Sequence, residues 1–392
     1  MPHVSSEVEK LVPNLIDLRR DFHRHPELGF QEERTARVVA ERLKHLGYTV
    51  RTGVGKTGVL GLLKGGKPGK TVLLRAEIDA LPIQEEAQVP WKSESPGRMH
   101  ACGHDANTAI ALTAAEILAK ELPGLPGNVL FVFQPAEEIL SGAEAMLRDG
   151  ALEGVAVDAA FAVHMSNDMP AGTVGLRSGP VMTSADRLEL AVIGKGGHGA
   201  FPHQACDPVY AAAQIITALQ TLVSRETPPL QMSVLSITTL KAGTAFNIIP
   251  DTVEMSGTFR CYDTALRETL MGSLRRVAEN VAAALKCKAE VRNDWLTPAV
   301  VNDPALTRVV QEIATDIIGE KHVVEMERLT GSDDIAYFWQ KVPGCYAFVG
   351  SAKTDGSLAA PHHNAKFDID ESVMATGVEL LVRAARQVMK GP

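Results

Sequence analysis

The sequence contains no run of about 18 uninterrupted apolar residues, so we expect no membrane-spanning helix. It has no block of basic residues, and its formal net charge of −8 gives no electrostatic reason to expect nucleic acid or an anionic membrane as a partner. Its five cysteines, at positions 102, 206, 261, 287 and 345, are odd in number and widely scattered. That usage favours a reducing compartment over a disulfide framework. The first residues lack the apolar run and cleavage site of a secretory signal, so we expect a cytoplasmic protein.

Two other signatures are missing. No internal repeat or low-complexity segment is present. Gly55-Lys56-Thr57 resembles the end of a phosphate-binding loop, but the glycine required five residues earlier is Val50. Nucleotide binding is therefore not supported.

What the sequence does contain is an alternation of apolar strands and helices. At 392 residues, two domains are expected. Continuous apolar runs at 71–79, 128–133, 157–163 and 345–350 predict buried strands, and helical patterns occupy 5–22, 32–46, 107–122, 304–318 and 371–389. This pattern predicts an α/β domain whose ligands lie outside the carboxyl ends of the strands.

Potential metal ligands follow or end these strands. Soft thiolate, imidazole and carboxylate groups together favour zinc, cobalt, nickel or manganese over magnesium or calcium. Five ligands with a free carboxylate exceed one tetrahedral site, and two ions about 3.5–4 Å apart would use them. The residues expected near this rim are Cys102, His104, Glu137, Glu138, His164 and His363.

Each candidate also has an ordinary structural explanation. Glu137 and Glu138 could simply stabilise a helix N-terminus, although one of two adjacent carboxylates can bind metal while the other acts as a general base. His164 at a strand end could be a hydrogen-bonded structural residue. His362 and His363 are adjacent on an extended segment, so we expect only one of them to coordinate, and the sequence leaves open whether the other assists.

Between about 183 and 295 the pattern changes to strands with one buried face. The order β-α-β-β-α-β, with strands near 186–194, 231–241, 252–260 and 287–294, is that of a ferredoxin-like domain. Because another apolar strand and His363 come afterwards, this looks like an insertion. It carries His198 among four glycines, and Arg260 on the face opposite the buried residues, where it is either solvated or a fork for a substrate carboxylate.

Taken together, these motifs resemble the amidohydrolase branch of the aminoacylase/carboxypeptidase metallopeptidase superfamily, which includes hippurate, N-acyl-amino-acid and indoleacetyl-amino-acid hydrolases. The resemblance covers nearly the whole chain in order. The segments that carry it are 19–23 (RRDFH) with 26–28 (PEL), 75–82 (RAEIDALP), 99–105 (MHACGHD), 134–138 (QPAEE), His164, 196–200 (GGHGA) with 202–203 (PH), 247–250 (NIIP) and 363–368 (HNAKFD).

The resemblance implies a fold and a role for each site residue. It implies a mixed-sheet, dinuclear metallopeptidase-like catalytic domain in two parts, 1–182 and 296–392, with an inserted lid and dimerisation domain at 183–295. Two divalent ions, most often zinc or manganese, would be bridged by Cys102 and held by His104, Glu138, His164 and His363. Glu137 would be the general base, Asp79 would orient a ligand, and His198 would polarise the scissile carbonyl. The substrate would be held by Asn247, Arg260, Gly331 and Ser332.

Some positions depart from the pattern. Glu77 stands where the family often has Asp, Asp333-Asp334-Ile335 replaces the usual Glu-Asp-Phe, and Ala365 replaces a usual Pro. These departures bear on pocket shape, and hence on substrate choice, more than on mechanism.

The sequence therefore predicts a metal-dependent amidohydrolase that cleaves N-acyl-L-amino acids, such as N-acetyl or N-benzoyl compounds, with a water held between the metals. The alternatives are a dipeptidase or carboxypeptidase on the same scaffold, and a binding protein that recognises acyl amino acids without cleaving them. A binder has no need of a base such as Glu137 beside its ligand. The expected partner is a small-molecule substrate, with a homodimer or tetramer possible through the inserted domain.

Overall fold

The structure is a computed structural model that describes residues 3–353 and 360–390. The chain divides into two compact units. The first comprises Met1–Val181, Val301–Arg328 and Asp333–Pro392, and the second comprises Met182–Val300 and Leu329–Ser332. No helix in the described parts of the chain has the length and apolar character needed to cross a bilayer.

The helices follow the apolar periodicity of the sequence. In chain order they are α1 (Ser6–Arg24), α2 (Glu33–His45), α3 (His104–Ala119), α4 (Gly142–Arg148), α5 (Pro208–Thr221), α6 (Thr264–Ala284), α7 (Pro304–Ile318), α8 (Ala336–Trp339) and α9 (Met374–Met389).

The strands alternate with these helices. They are β1 (Thr49–Val54), β2 (Gly58–Lys64), β3 (Lys67–Glu77), β4 (Pro126–Gln134), β5 (Ala159–Pro170), β6 (Val174–Leu176), β7 (Gly179–Met182), β8 (Ala185–Ile193), β9 (Gly197–His198), β10 (Ser233–Ala242), β11 (Ile248–Ile249), β12 (Thr252–Cys261), β13 (Lys288–Thr297), β14 (Val300–Asn302), β15 (Val323–Glu325) and β16 (Gly344–Ala352).

The first unit is built on a mixed eight-stranded sheet in the order β1-β2-β4-β3-β5-β16-β6-β15, as the expected fold class requires. Its centre is parallel, because β3 pairs in parallel with β4 and β5, and β5 with β16. The central strands are buried on both faces, as their continuous apolar runs predict. One face packs against α1, α2, α3, α7 and α9, and the Ala-rich α3 is buried along nearly its whole length.

The parallel centre brings the ends of several strands to one edge. Glu77 at the end of β3 lies opposite Gln134 at the end of β4. Asp79 and the segment that carries Glu137 and Glu138 follow directly from these two strands. The sheet therefore positions these side chains at its carboxyl edge, where the alternation of strands and helices places ligands.

The second unit is an antiparallel four-stranded sheet in the order β10-β12-β8-β13, with α5 and α6 covering one face. The chain order βαββαβ with this strand order is the ferredoxin-like arrangement. Asp207 and Asp263 cap its two helices with side-chain hydrogen bonds, as their positions before Pro208 and Thr264 indicate.

Three details differ from the sequence expectations. His164 lies within β5 rather than at its end, because the pairing of β5 with β16 continues beyond it to Pro170. Helix α3 begins at His104, not Asn107, because Gly103 takes a left-handed conformation that turns the chain directly into the helix. Gly331 and Ser332, expected in the second part of the catalytic domain, belong to the second unit, where Thr183 N donates to Gly331 O at 3.0 Å.

Candidate metal and catalytic site

The first unit gathers one thiol, three imidazoles and two carboxylates at the carboxyl edge of its sheet. Three overlapping groups each have their ligand atoms within 4.8 Å of one another. They are Cys102, His104 and His164; Cys102, Glu138 and His363; and His104, Glu137 and Glu138. The structure thus brings together all five predicted ligands and the predicted base.

The turn at Gly103 presents the first two of these side chains. Its φ of 89° is a left-handed conformation that favours glycine, and an added Cβ would lie 3.3 Å from the Cβ of Met165. The thiol of Cys102 and the imidazole of His104 therefore leave the chain on either side of a sharp bend. This is how a Cys-x-His spacing converges on one point.

Hydrogen bonds to carbonyl groups determine the tautomers of two histidines. His104 Nδ1 lies 3.0 Å from Asp79 O, and His164 Nδ1 lies 2.7 Å from Met165 O. A carbonyl oxygen only accepts, so each Nδ1 carries the proton and each Nε2 offers a lone pair to the site. His104 Nε2 is buried with no hydrogen-bond partner among the described residues. This is the second-sphere arrangement usual for metal-binding histidines.

Asp79 also orients the loop that carries the acids. Its Oδ2 accepts a hydrogen bond from Glu138 N at 3.0 Å. Its other oxygen, Oδ1, and Glu138 Oε1 are buried without a hydrogen-bond partner among the described residues. Asp79 thus contacts the backbone or side chain of two predicted ligands, His104 and Glu138, which is the arrangement that its predicted orienting role needs.

The two adjacent histidines near the end of the chain have different surroundings. His363 has a φ of 63° and its Nε2 lies 3.3 Å from Glu138 Oε2. His362 Nε2 accepts a hydrogen bond from Asn167 N at 3.1 Å, so its Nδ1 carries the proton of the neutral ring and points at Cys102 Sγ, 3.5 Å away. Both ring nitrogens of His362 are therefore occupied, and it supports the thiol while His363 remains available as a ligand.

The charges at this edge fit a divalent cation. Burial raises the pKa of the Cys102 thiol well above its ordinary value, and the negative charges of Glu138 and Glu137 raise it further. Burial and the nearby carboxylates of Asp333 and Glu138 likewise raise the pKa of Glu137 well above its usual range. The buried acids, the unpartnered His104 Nε2 and the mixed thiol, imidazole and carboxylate set suit divalent metal ions.

A carboxylate that the sequence reasoning missed supports the loop before Glu137. Glu32 is fully buried, and its Oε1 accepts a hydrogen bond from Ala136 N at 2.9 Å. Its Oε2 accepts one from the Thr57 hydroxyl at 2.5 Å. Burial raises the pKa of Glu32 from 4.5 to about 6, and the nearby Asp79 adds to the rise.

Replacing Glu32 by glutamine should therefore stabilise the protein above pH 6. A carboxyl with a raised folded-state pKa contributes stability below its unfolded pKa and loses that contribution as pH rises through about 6. Glutamine cannot ionise and still accepts from Ala136 N, so the variant should gain about 2 kcal/mol at pH 8 and little at pH 4. Thermal unfolding of both proteins at the two pH values checks this. A difference that does not vary with pH would contradict it.

The second unit holds the remaining predicted residues. His198 lies in β9, paired with Ile248 of β11, and Gly199 N donates to Asn247 O at 2.8 Å, so His198 and Asn247 are neighbours. His198 is exposed, and its Nδ1 accepts a hydrogen bond from Ala200 N at 3.1 Å. The neutral ring consequently carries its proton on Nε2, which is free to donate to a ligand.

Arg260 contacts only neutral groups in the hydrogen bonds of the described residues. Its Nη1 lies 2.5 Å from Ser332 Oγ and its Nε lies 3.1 Å from Thr258 Oγ1. None of the ion pairs of the described residues includes Arg260. Partial burial lowers its pKa, and the charge of Asp186, which itself pairs with Arg267, opposes this with a smaller effect. Arg260 is thus a partly desolvated cation whose fork is available to an anion.

A buried polar network behind Glu137 was not predicted. Arg75 pairs with Glu77, with Asp333 at 2.8 Å and with Asp334 at 3.6 Å, and all four side chains are buried. The Tyr346 hydroxyl lies 2.9 Å from Glu77 Oε1. Glu77 thus belongs to this network rather than to the groups of predicted ligands. The signal available in the sequence was an arginine in the middle of an otherwise apolar strand, which must have buried acidic partners.

Comparisons with known proteins agree with this geometry. Residues 73–387 match the sequence profile described as peptidase family M20/M25/M40. The chain is 39% identical over 378 residues to thermostable carboxypeptidase 2 of Saccharolobus solfataricus, covering 95% of each chain. It is also 39% identical to N-acetylcysteine deacetylase of Bacillus subtilis, covering 96% of this chain and 97% of the relative. A crystal structure of a dinuclear metal binding peptidase of the M20 family from Bacillus subtilis superimposes with a TM-score of 0.85 at 35% identity, covering 98% and 99% of the two chains.

Proposed function

Because this chain belongs to peptidase family M20/M25/M40 and is a metal-dependent hydrolase of amide bonds, we propose that it releases free amino acids from N-acyl-L-amino acids. The observation that carries the proposal is Glu137. It is a buried carboxyl next to a set of metal-type ligands, 3.8 Å from His104 Nε2, and no lysine or arginine of the described residues forms an ion pair with it. A binding site has no use for such a group, whereas hydrolysis needs a base there.

The proposed chemistry divides between the bound ions and the protein. Two divalent ions, of which zinc and manganese are the first candidates, would polarise the amide carbonyl and lower the pKa of water. Cys102, His104, Glu138, His164 and His363 would hold them, and Asp79 would keep His104 and the Glu138 backbone in place.

Glu137 moves the proton in this proposal. It takes the proton from the attacking water and delivers it to the nitrogen of the leaving amine, so that one carboxyl acts first as base and then as acid. Its raised pKa, caused by burial and by Asp333 and Glu138, suits the second of these steps. We retain the prediction that His198 polarises the scissile carbonyl, since its Nε2–H is free to donate.

The proposed substrate carries a free carboxylate. Arg260 forms no ion pair with a carboxylate of the described residues, and its hydrogen bonds there go to the hydroxyls of Ser332 and Thr258. We retain the predictions that Asn247 helps to hold the substrate's carboxylate and that Gly331 and Ser332 line the pocket. We retain the predictions of a cytoplasmic location and of a dimer or tetramer through the second unit. All five cysteines are free thiols, which suits a reducing compartment.

A second candidate is a carboxypeptidase or dipeptidase, which the similarity to thermostable carboxypeptidase 2 favours. Both activities need the same base, the same ions and a cation for the carboxylate. They differ in whether the group on the other side of the amide is an acyl chain or an amino acid with a free ammonium.

Substrate discrimination should separate the two activities. Protein stripped of metal and reloaded with Zn, Mn, Co or Ni should release amino acids from N-acetyl, N-benzoyl or indoleacetyl amino acids, and metal-free protein should not. Amino acid release is measured on this panel together with one unblocked dipeptide. Turnover of the dipeptide alone would move the assignment to the second candidate. If the protein bound these compounds but hydrolysed none of them with any of the four metals, the proposed hydrolytic function would be refuted.

A further inference from the structure

The residues from 134 to 143, here called the Glu137 loop, adopt a conformation that is unfavourable by itself. Ala136 and Leu140 both have φ of 52°, a left-handed conformation that is unfavourable for residues other than glycine. The two ends of the loop almost touch, since a Cβ added to Gly142 would lie 1.6 Å from Pro135 O. A closed loop with two strained residues needs restraints from outside itself to keep one shape.

Asp334 supplies such a restraint at the neck of the loop. One of its oxygens, Oδ1, accepts a hydrogen bond from Gln134 Nε2 at 2.5 Å, where the loop begins. The other, Oδ2, accepts one from Ala143 N at 2.8 Å, where the loop ends. The carboxylate is fully buried, so neither hydrogen bond competes with water. A single side chain thus joins the two ends of the loop that carries Glu137.

The restraint is itself fixed to the sheet. Gln134 Oε1 accepts from Arg75 Nε at 2.9 Å, and Arg75 Nη2 lies 3.6 Å from Asp334 Oδ1. The carboxyl oxygens of Glu137, Asp333 and Asp334 lie within 4.8 Å of one another. The neck of the loop therefore lies beside the carboxyl of Glu137, the proposed general base.

We propose that Asp334 is a positioning residue for Glu137, acting by clamping both ends of the Glu137 loop. Among the described residues, Asp334 forms no hydrogen bond with a predicted metal ligand. It bonds the two ends of the loop that carries Glu137 and Glu138, and its carboxyl lies within 4.8 Å of that of Glu137. The inference rests on the proposed function where its readout is turnover, and it extends that function by assigning a residue outside the metal and substrate sets. A displacement of about 1 Å at a catalytic group can cost about 100-fold in rate.

Replacing Asp334 by asparagine tests the clamp. The amide keeps one accepting oxygen but turns an NH2 group toward either Gln134 Nε2 or Ala143 N, so one of the two hydrogen bonds becomes a contact between donors. We expect kcat to fall about 100-fold while KM stays within about threefold and the metal content is unchanged. Hydrogen exchange measured by mass spectrometry should show faster exchange in peptides covering residues 135–143.

A matched control and a milder variant make the test decisive. Asp303 also accepts two N–H hydrogen bonds at a helix start in the first unit, from Ala305 N and Leu306 N. Asp303→Ala removes both hydrogen bonds and should lower the melting temperature without changing kcat or the exchange of 135–143. Gln134→Met keeps a similar side-chain shape but removes the hydrogen bond at one end of the clamp. It should give a smaller loss of kcat and faster hydrogen exchange in the loop, and it replaces Asp334→Asn as the test if that variant does not fold.

Two results would overturn the proposal. One is exchange in 135–143 that equals the wild type in both the Asp334→Asn and Gln134→Met proteins. The other is a loss of kcat that Asp303→Ala reproduces at the same loss of melting temperature. If wild-type protein hydrolyses no substrate, the proposed function fails, and the exchange measurement still decides the clamp by itself.

Discussion

Replacing Glu137 by glutamine should lower kcat by about 1,000-fold, since positioned general acid–base groups contribute about 10²- to 10⁴-fold. The amide has nearly the shape of the carboxyl but can neither take a proton from water nor deliver one to the leaving nitrogen. Glu137 is buried beside Asp333 and Glu138, which raise its pKa, so the wild-type group is placed to carry a proton in the second step. Turnover of the best acyl amino acid and metal content by elemental analysis are the measurements.

The control for this variant lies a few residues later on the same segment. Glu144→Gln changes an exposed acid in α4 that pairs with Arg148 at 3.2 Å, and should leave kcat unchanged. The Glu137→Gln protein should keep its bound ions, because Glu138 and the other predicted ligands are intact. Near-normal turnover by the metal-loaded variant would remove Glu137 from the role of base.

Replacing Cys102 by alanine should lower metal affinity by at least about 100-fold, because even the loss of a second-sphere partner costs about 10–100-fold. The thiol belongs both to the group with His104 and His164 and to the group with Glu138 and His363, so its removal affects both halves of the site. Its raised pKa means that the metal-free protein holds the thiol protonated. Wild-type protein should therefore release more protons on binding zinc than the variant does.

Calorimetric titration with zinc in buffers of different ionisation enthalpy measures both the affinity and the proton release. Cys206→Ala is the matched control, since Cys206 is a half-buried free thiol in the second unit. It should bind zinc like the wild type. Two tightly bound ions in the Cys102→Ala protein would refute the bridging role.

The helices and strands could be predicted from the spacing of apolar residues, because each segment's own sequence reflects which of its faces is buried. Strand β4 reads as a continuous apolar run, and α3 as an Ala-rich helix, since their neighbours cover them on all sides. The second unit was predictable for a different reason. Asp207 before Pro208 and Asp263 before Thr264 are N-cap positions that predict two helices. Buried and less buried side chains alternate along β12, and this pattern places Arg260 on the face opposite the buried residues.

The site was predictable only where residue types restrict the chemistry. Cys102, His104, Glu138, His164 and His363 have few other uses at the carboxyl edge of a parallel sheet, and the structure brings them together. The distinction between His362 and His363 was not available from sequence. It depends on Asn167 N occupying one nitrogen of His362, a contact between segments far apart in the chain.

The supporting acids were missed for the same reason. Glu32 and Asp334 are ordinary charged residues in the sequence, and a charged residue is usually solvated. Their importance comes from burial and from backbone N–H groups of the Glu137 loop, which belongs to another segment in each case. Arg75 within an apolar strand was the one local sign that a buried acidic network existed.

The interruption of the first unit by the second has a consequence for how the protein is made. Strand β5 pairs with β16 in parallel, yet the ribosome synthesises the whole of the second unit between them. The ferredoxin-like sheet can thus form before β16 exists, while the edge of β5 that will pair with β16 is still unpaired. Unpaired strand edges make nascent chains prone to aggregate. His363 emerges later still, after β16. The nascent chain therefore lacks the last of its predicted metal ligands until the second unit and β16 have both been synthesised.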